Sequence, residues 1–316
     1  AVLSLIFTRI RGRWQILDIP NYRSLHSQPT PRTGGTAILL GGGCGLLLTW
    51  FLEGYLITGL PLLTAILILA VIALIDDRHT LGAGLRLLIQ ISVISVLLVL
   101  QPIPMPGLMV MILTLLFLVW MINLYNFMDG MDGFAAGMAV FGFGTFALLA
   151  WQAGHSEFAL GCAIIVAACS GFLLFNFPPA RLFMGDAGST VLGLLAGVVI
   201  LKAHGEAILP FWLGVLVFSP FIVDASVTLM ARIVRRERIW QAHKSHYYQR
   251  LVESGWGHGK TVLAEYALMA GCCASAILAA SLSVAGQISV LATWTVLYVL
   301  LMWAIHSYQS TRKPGT

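Results

Sequence analysis

Apolar stretches of about 17 to 25 residues recur from one end of this chain to the other, and each, as a helix, can cross roughly 30 Å of hydrocarbon. No other feature constrains the fold as strongly. In lipid every backbone N–H and C=O must be satisfied within its own segment, so these stretches are helices and not open strands. Composition agrees: of 316 residues, 59% are hydrophobic and only 10% charged, with a mean hydropathy of +0.89, whereas an ordinary soluble domain carries roughly a quarter charged residues. We place ten spans, at about 36–57, 59–75, 86–102, 107–125, 134–151, 157–175, 189–203, 208–231, 262–283 and 286–306. The opening stretch, Ala1 to Ile10, would rise only about 15 Å as a helix. With no initiator Met before it, it reads as the remainder of an incomplete eleventh span, or else as a short interfacial segment. The expected fold class is all-α: a polytopic integral membrane helix bundle of ten or eleven transmembrane helices, forming a single domain over residues 1–316.

Alternating these spans collects the loops around 9–35, 76–86, 126–133, 176–188 and 232–261, with the C-terminal tail, on one side of the membrane. Of the 18 Lys and Arg residues, all but Lys202 fall there. The positive-inside bias makes that side cytoplasmic. It also accounts for the net charge of +5 without nucleic acid as a partner. The five cysteines, Cys44, Cys162, Cys169, Cys272 and Cys273, lie in apolar runs with no C-x-x-C pair, which makes them packing residues.

The polar constellations are confined to the basic side. Asp76-Asp77-Arg78 closes an apolar run, and adjacent carboxylates at a membrane boundary repel each other and need a cation or basic partner. Asn123-x-x-Asn126-x-x-Asp129-Gly-x-Asp132-Gly133 sets oxygen-bearing side chains side by side if the turn is helical. Such a set suits a hard cation such as Mg²⁺, or a nucleotide held through amide and carboxylate hydrogen bonds. Capping and turn chemistry explains Asp-Gly there but not the two asparagines. A third segment runs from Asn176 through Pro178, Pro179, Arg181 and Phe183 to Gly185-Asp186-Ala187-Gly188-Ser189, and it places a carboxylate where a helix starts with free N–H groups. The long inner loop carries Arg235, Arg236, Arg238, His243, Lys244, His246 and Arg250. Its charge alone is a topology signal, but His and Arg there also donate to phosphate oxygens. Near the N-terminus, a Pro- and Gly-rich loop offers Arg23, His26 and Arg32 as phosphate partners.

In this order, the motifs read D-x-P-N-x-R-S-x-H (18–26), D-D (76–77), N-x-x-N-x-x-D-G-x-D-G (123–133), F-M-G-D-x-G-S (183–189) and H-x-x-H (243–246). A chain built this way resembles the polyprenyl-phosphate N-acetylhexosamine-1-phosphate transferases, relatives of the lipid-I translocase and of the dolichol-linked GlcNAc-1-phosphate transferase. The resemblance covers nearly the whole length. It implies an enzyme of the bacterial cytoplasmic membrane whose active site faces the cytoplasm and which depends on Mg²⁺, with Mn²⁺ as an alternative. Its substrates would be a UDP-N-acetylhexosamine and a polyprenyl phosphate, and a homodimer is left open. Carried over by position, Asp186 and Asn126 would ligate the metal, and Asp132, Asn176 and Phe183 would hold the uridine. Asp76 and Asp77 would lie by the lipid phosphate, with His243 and His246 facing the nucleotide-sugar. The expected catalytic set is then Asp76, Asp77, Asp129, Asp186, His243 and His246, with Asn123, Arg32, Arg86 and Arg250 joining the substrate-binding residues. Two departures matter. His243-Lys244-Ser245-His246 stands where the peptidoglycan branch has consecutive histidines, and Gly82 and Gly84 stand where many relatives have Ser and a basic residue.

Two other classes are weighed against this. Asp129-x-x-Asp132-Gly133-x-x-Ala136 matches the first half of a CDP-alcohol phosphotransferase motif, but Gly137 occupies the position of its Arg. A lipid or solute transporter would place ionisable residues at the bilayer midplane, where Asp224 is the one clear acidic candidate.

Overall fold

The structure is a computed structural model, and it describes residues 1–9, 16–20, 25, 28–54, 59–79, 81–101, 107–238, 241 and 243–312. After a short helix α1 (Val2–Arg9), the chain forms two-residue strands β1 (Leu17–Asp18) and β2 (Thr30–Pro31), paired antiparallel with Leu17 opposite Pro31. The rest is helical: α2 (Gly34–Glu53), α3 (Leu60–His79), α4 (Ala83–Leu100), α5 (Leu108–Met128), α6 (Phe134–Gln152), α7 (Ser156–Asn176) and α8 (Asp186–Gly205). There follow α9 (Phe211–Val217), α10 (Ser219–Val234), α11 (Tyr247–Leu251), α12 (Gly257–Ala279) and α13 (Val284–Arg312). Among the described residues nine helices are long and apolar enough to cross a membrane, and ten spans result if α9 and α10 count as one.

That pair corrects the sequence expectation of a straight span over 208–231. Its two halves meet at 84°. The cause is local: Pro220 sits in the first turn of α10 and has no N–H to give, and the Ser219 hydroxyl turns back to the Leu216 carbonyl. Boundaries also shift by a few residues. α3 continues past 75 to His79, so Asp76 and Asp77 stand on the last helical turn and not in a loop.

α8 is the central post, packed by α2, α3, α5, α6 and α9. It approaches α5 closely because Gly193 has no side chain: a Cβ there would lie 2.6 Å from the Met121 carbonyl oxygen and 2.8 Å from the Ile122 Cα. The core is almost wholly aliphatic and aromatic, with Tyr125, Phe134, Phe143, Phe146, Phe172, Phe218 and Phe221 fully buried. The outer faces are apolar too, as Phe51, Val99, Leu113 and Trp303 show, which is the pattern of a bundle solvated by lipid. Within such a bundle, polar side chains gather at one end, where α3 and α5 finish and α2, α4 and α8 begin.

Candidate active site

The starts of α2 and α8 are tied together by backbone. Phe183 N–H donates to Pro31 O (2.7 Å), Gly34 N–H to Phe183 O (2.8 Å) and Gly35 N–H to Met184 O (2.6 Å). This short zipper places Arg32 directly over Asp186, the first residue of α8.

Around that junction charges alternate. Arg32 Nη2 lies 2.8 Å from Asp77 Oδ1 and 3.3 Å from Asp186 Oδ1. Arg86 Nη1 lies 2.8 Å from Asp76 Oδ2 and 3.5 Å from Asp186 Oδ2. Two arginines therefore serve three carboxylates from α3 and α8, and Asp186 is the member they share. Asp77 also accepts the Asp186 N–H (3.3 Å), one of the donors that no helical carbonyl satisfies. Its second oxygen, Oδ2, is buried and meets no hydrogen-bond partner among the described residues. The Arg32 guanidinium loses solvation by burial, yet the charges of Asp77 and Asp186 outweigh this and hold its pKa above the usual value.

The α5 motif closes the group from the other side. Asn126 donates to Ser189 Oγ at 3.0 Å and shares a small cavity with Asp186. Asp129, just beyond the last turn of α5, donates its backbone N–H to the Asn126 carbonyl (3.2 Å), while its carboxylate makes no hydrogen bond or ion pair among the described residues. Burial, and after it the charge of Asp186, holds its carboxyl well above the ordinary carboxylate range. Asp76, Arg86, Asn123, Asn126 and Asp186 line one small cavity of about 50 Å³. A larger apolar groove of about 420 Å³, between α2, α3, α7 and α8, runs along the membrane-facing side and is lined mainly by Leu, Ile, Val and Gly.

A hard divalent cation fits this chemistry. Among the described residues no three His, Cys, Asp or Glu side chains converge as a complete ligand set. Mg²⁺, however, takes one or two carboxylates and fills the remaining positions with water and substrate phosphate. The partnerless Asp77 Oδ2 and the shared Asp186 supply oxygens of the required kind, and Asn126 adds an amide.

The residues expected to hold the uridine are placed differently. Asn176 is buried, and both ends of its amide are engaged: its Oδ1 accepts Gly133 N–H (2.9 Å) and its Nδ2 donates to Leu182 O (2.9 Å). Here it is a clip between two loops. Asn176→Ala would strand both backbone groups. At about 1–3 kcal/mol for each buried unsatisfied group, the variant is expected to lose a few kcal/mol, and thermal melting in detergent would measure it. Asp132 Oδ2 accepts Ala180 N–H (2.9 Å), and its Oδ1 faces His258 Nδ1 at 3.0 Å. Phe183 joins the zipper through its backbone, beside the charge array.

The histidine motif hangs from α10. Asp224 Oδ1 meets His246 Nδ1 (3.1 Å) and accepts Tyr247 N–H (3.0 Å), while Oδ2 accepts Tyr248 N–H (3.1 Å). The His243 ring lies 4.9 Å from the His246 ring, and His246 lies 6.5 Å from Phe127, which lines the site cavity. Burial, and then the charge of His246, pushes His243 down to about 4, so its imidazole is neutral at pH 7. Its Nδ1 takes the Ser245 hydroxyl at 2.7 Å, which leaves Nε2–H as the donor. Arg250 is not brought to the cluster. It reaches α13 instead, with Nε 2.8 Å from Gln309 Oε1. Arg23 and His26 lie outside the described residues.

Sequence reading missed three participants. Gln90 lies within an apolar run one turn beyond Arg86, and a polar side chain at membrane depth is itself a signal. His258 joins Asp132 to the Leu25 carbonyl (3.2 Å), a contact that nothing in its spacing announces. Asp224 was noticed only as an intramembrane acid, not as the anchor of the histidines.

Comparison with known proteins gives the same picture. The sequence profile of Glycosyl transferase family 4 matches residues 60–204. A decaprenyl-phosphate N-acetylglucosaminephosphotransferase of Mycolicibacterium smegmatis is 33% identical over 303 aligned residues, covering 80% of this chain and 73% of that protein. A probable undecaprenyl-phosphate N-acetylglucosaminyl 1-phosphate transferase of Bacillus subtilis is 29% identical over 280 residues, covering 84% and 77%. A phospho-N-acetylmuramoyl-pentapeptide-transferase of Halalkalibacterium halodurans is 35% identical, but over 128 residues, 40% of this chain and 38% of that protein.

Proposed function

The chain belongs to Glycosyl transferase family 4, and from that premise we propose that it transfers N-acetylhexosamine-1-phosphate from a UDP-sugar to polyprenyl phosphate, releasing UMP. The observation that carries the reading is the array Asp77, Arg32, Asp186, Arg86, Asp76, where a helix end meets the hydrocarbon boundary. There a soluble diphosphate and a lipid phosphate can meet between cations and carboxylate oxygens. Both long matches name N-acetylglucosamine, so UDP-N-acetylglucosamine is the first donor to test. The His243-Lys244-Ser245-His246 departure and the short match to the muramoyl-pentapeptide enzymes both argue against a peptidoglycan precursor. The bias of Lys and Arg supports a site on the cytoplasmic side, where nucleotide sugars are made.

An oxygen of the lipid phosphate attacks the sugar-bearing β-phosphorus. A P–O bond forms there, the bond from that phosphorus to the bridging oxygen breaks, and UMP leaves with the electron pair. A phosphate monoester with second pKa near 6 is already mostly dianionic at neutral pH, so no strong general base is required. Arg32 and Arg86 hold the phosphates in line and balance their charge, and positioning with charge stabilisation makes up most of the catalysis, as in other phosphoryl transfers. Asp186, Asn126 and the free oxygen of Asp77 would hold Mg²⁺. The metal would neutralise charge developing on the departing UMP. His246, held by Asp224, and the Nε2–H of His243 flank the nucleotide side.

The test is incubation of purified protein with polyprenyl phosphate and a panel of radiolabelled UDP-sugars, counting label in the lipid fraction. Label from UDP-N-acetylglucosamine with stoichiometric UMP supports the reading. No lipid-borne label from any UDP-sugar refutes it. Chelation with EDTA is expected to abolish transfer, with recovery on adding Mg²⁺ or Mn²⁺. Because direct attack needs no phosphosugar-enzyme intermediate, exchange of labelled UMP into UDP-sugar is expected only when polyprenyl phosphate is present. Robust exchange without the lipid would instead establish a covalent aspartyl step.

A further inference from the structure

One face of α4 carries two polar side chains, Arg86 and Gln90. The second lies one turn, about 6 Å, further from the loop end of the bundle. Gln90 is buried and opens on the same small cavity as Asp186 and Arg86, between Leu69, Ile72 and Ile89. Its orientation is fixed by its partner. Asn123 Nδ2 donates one hydrogen to the Val119 carbonyl (2.8 Å), a group that can only accept, and the other to Gln90 Oε1 (2.7 Å). Gln90 must therefore present its carbonyl to Asn123, and no acceptor among the described residues meets its Nε2–H groups. The same two bonds use both Asn123 hydrogens.

We propose that Gln90 binds the phosphate of the carrier lipid, its Nε2–H donating to a phosphate oxygen beside Arg86; this rests on the transfer reaction proposed above. Depth is the reason. A nucleotide-sugar enters from the aqueous loop end, where the carboxylates stand, whereas a lipid phosphate comes from the hydrocarbon side, where Gln90 is walled by aliphatic groups. A neutral amide donor suits that depth, because a second cation beside Arg86 would add a desolvation cost that an amide avoids.

The whole chain in lipid nanodiscs, assayed with UDP-N-acetylglucosamine and polyprenyl phosphate varied in turn, tests this. Gln90→Met keeps the volume and removes the donor. It is expected to raise KM for polyprenyl phosphate about tenfold, the size of a lost hydrogen bond to a charged group, while KM for the UDP-sugar stays at its wild-type value. Gln90→Glu keeps the acceptor for Asn123 but sets a carboxylate against the phosphate, so its lipid KM is expected to rise at least as far. A residue that only pins α4 to α5 would leave Gln90→Glu near wild type, and Gln90→Met would shift both KM values or neither. Unchanged lipid KM in both variants, or a rise confined to the UDP-sugar, overturns the assignment. If Gln90→Met fails to insert, Gln90→Glu decides, since it retains the bond to Asn123. Absence of transfer by the wild-type protein would instead refute the reaction and this assignment with it.

Discussion

Asp186→Asn is expected to lower turnover at least about a hundredfold while the protein still inserts and folds, because a phosphate- or metal-facing carboxylate contributes several kcal/mol and each tenfold corresponds to about 1.4 kcal/mol. Asp186 is the carboxylate both arginines share, at 3.3 Å from Arg32 and 3.5 Å from Arg86, and it lines one cavity with Asn126. Asparagine keeps the shape and removes the charge, so the arginines lose a common partner and a cation loses its ligand. Asp77→Asn is expected to behave alike, since Asp77 pairs with Arg32 and holds one oxygen buried and free. Initial rates of lipid labelling, on protein shown to be monodisperse by size-exclusion chromatography, give the answer. Near wild-type turnover in both variants would remove the charge array from the chemistry.

The second large effect comes from a residue with no side chain. A Cβ on Gly35 would sit 2.6 Å from the Gly188 Cα and 2.9 Å from the Met184 carbonyl oxygen, and still closer to the Gly188 nitrogen. These are backbone atoms that no rotamer change can move aside. Gly35→Ala must push the start of α2 off the start of α8, breaking the Gly35 to Met184 hydrogen bond and carrying Arg32 away from Asp186. Overpacking of this kind costs about 1–3 kcal/mol, and a displacement near 1 Å at a reacting group can cost about a hundredfold in rate. A lower Tm together with turnover reduced by about tenfold or more is therefore expected. Gly42→Ala on the same helix is the control, since nothing lies within 4 Å of its Cβ position. If both alanine variants work equally well, the close contact of α2 with α8 does not set the site.

The helices and their number were legible because lipid leaves a segment of this length and apolarity only one way to satisfy its backbone. The bend at Phe218 was not, although Pro220 was visible. Proline two residues past a break is tolerated inside many straight-reading runs, and only packing against α12 and α13, through Ser219 and Tyr298, shows which path the chain takes. The contacts of Asn176 were likewise written only in the tertiary structure. Its position in a polar motif invited a ligand role, yet its amide is matched at both ends by backbone, and no pattern distinguishes an amide that binds substrate from one that clips loops.

By itself, the sequence determined a membrane bundle with its basic loops on one side and placed Asp76, Asp77, Asn126, Asp129, Asp186 and the histidine pair in the loops and helix ends of that side. These are consequences of local composition: span length, charge bias and residue type act over stretches of about twenty residues, which a linear reading can survey. Tertiary structure alone decided which of these groups meet. Arg32 and Asp186, 154 residues apart, are brought together by backbone zippering between their segments. Gln90 turns toward Asn123 because α4 packs on α5, and Arg250 turns away to α13. Such contacts arise from how helices cross and from where small residues let backbones approach, quantities summed over the whole bundle and written at no single position in the chain.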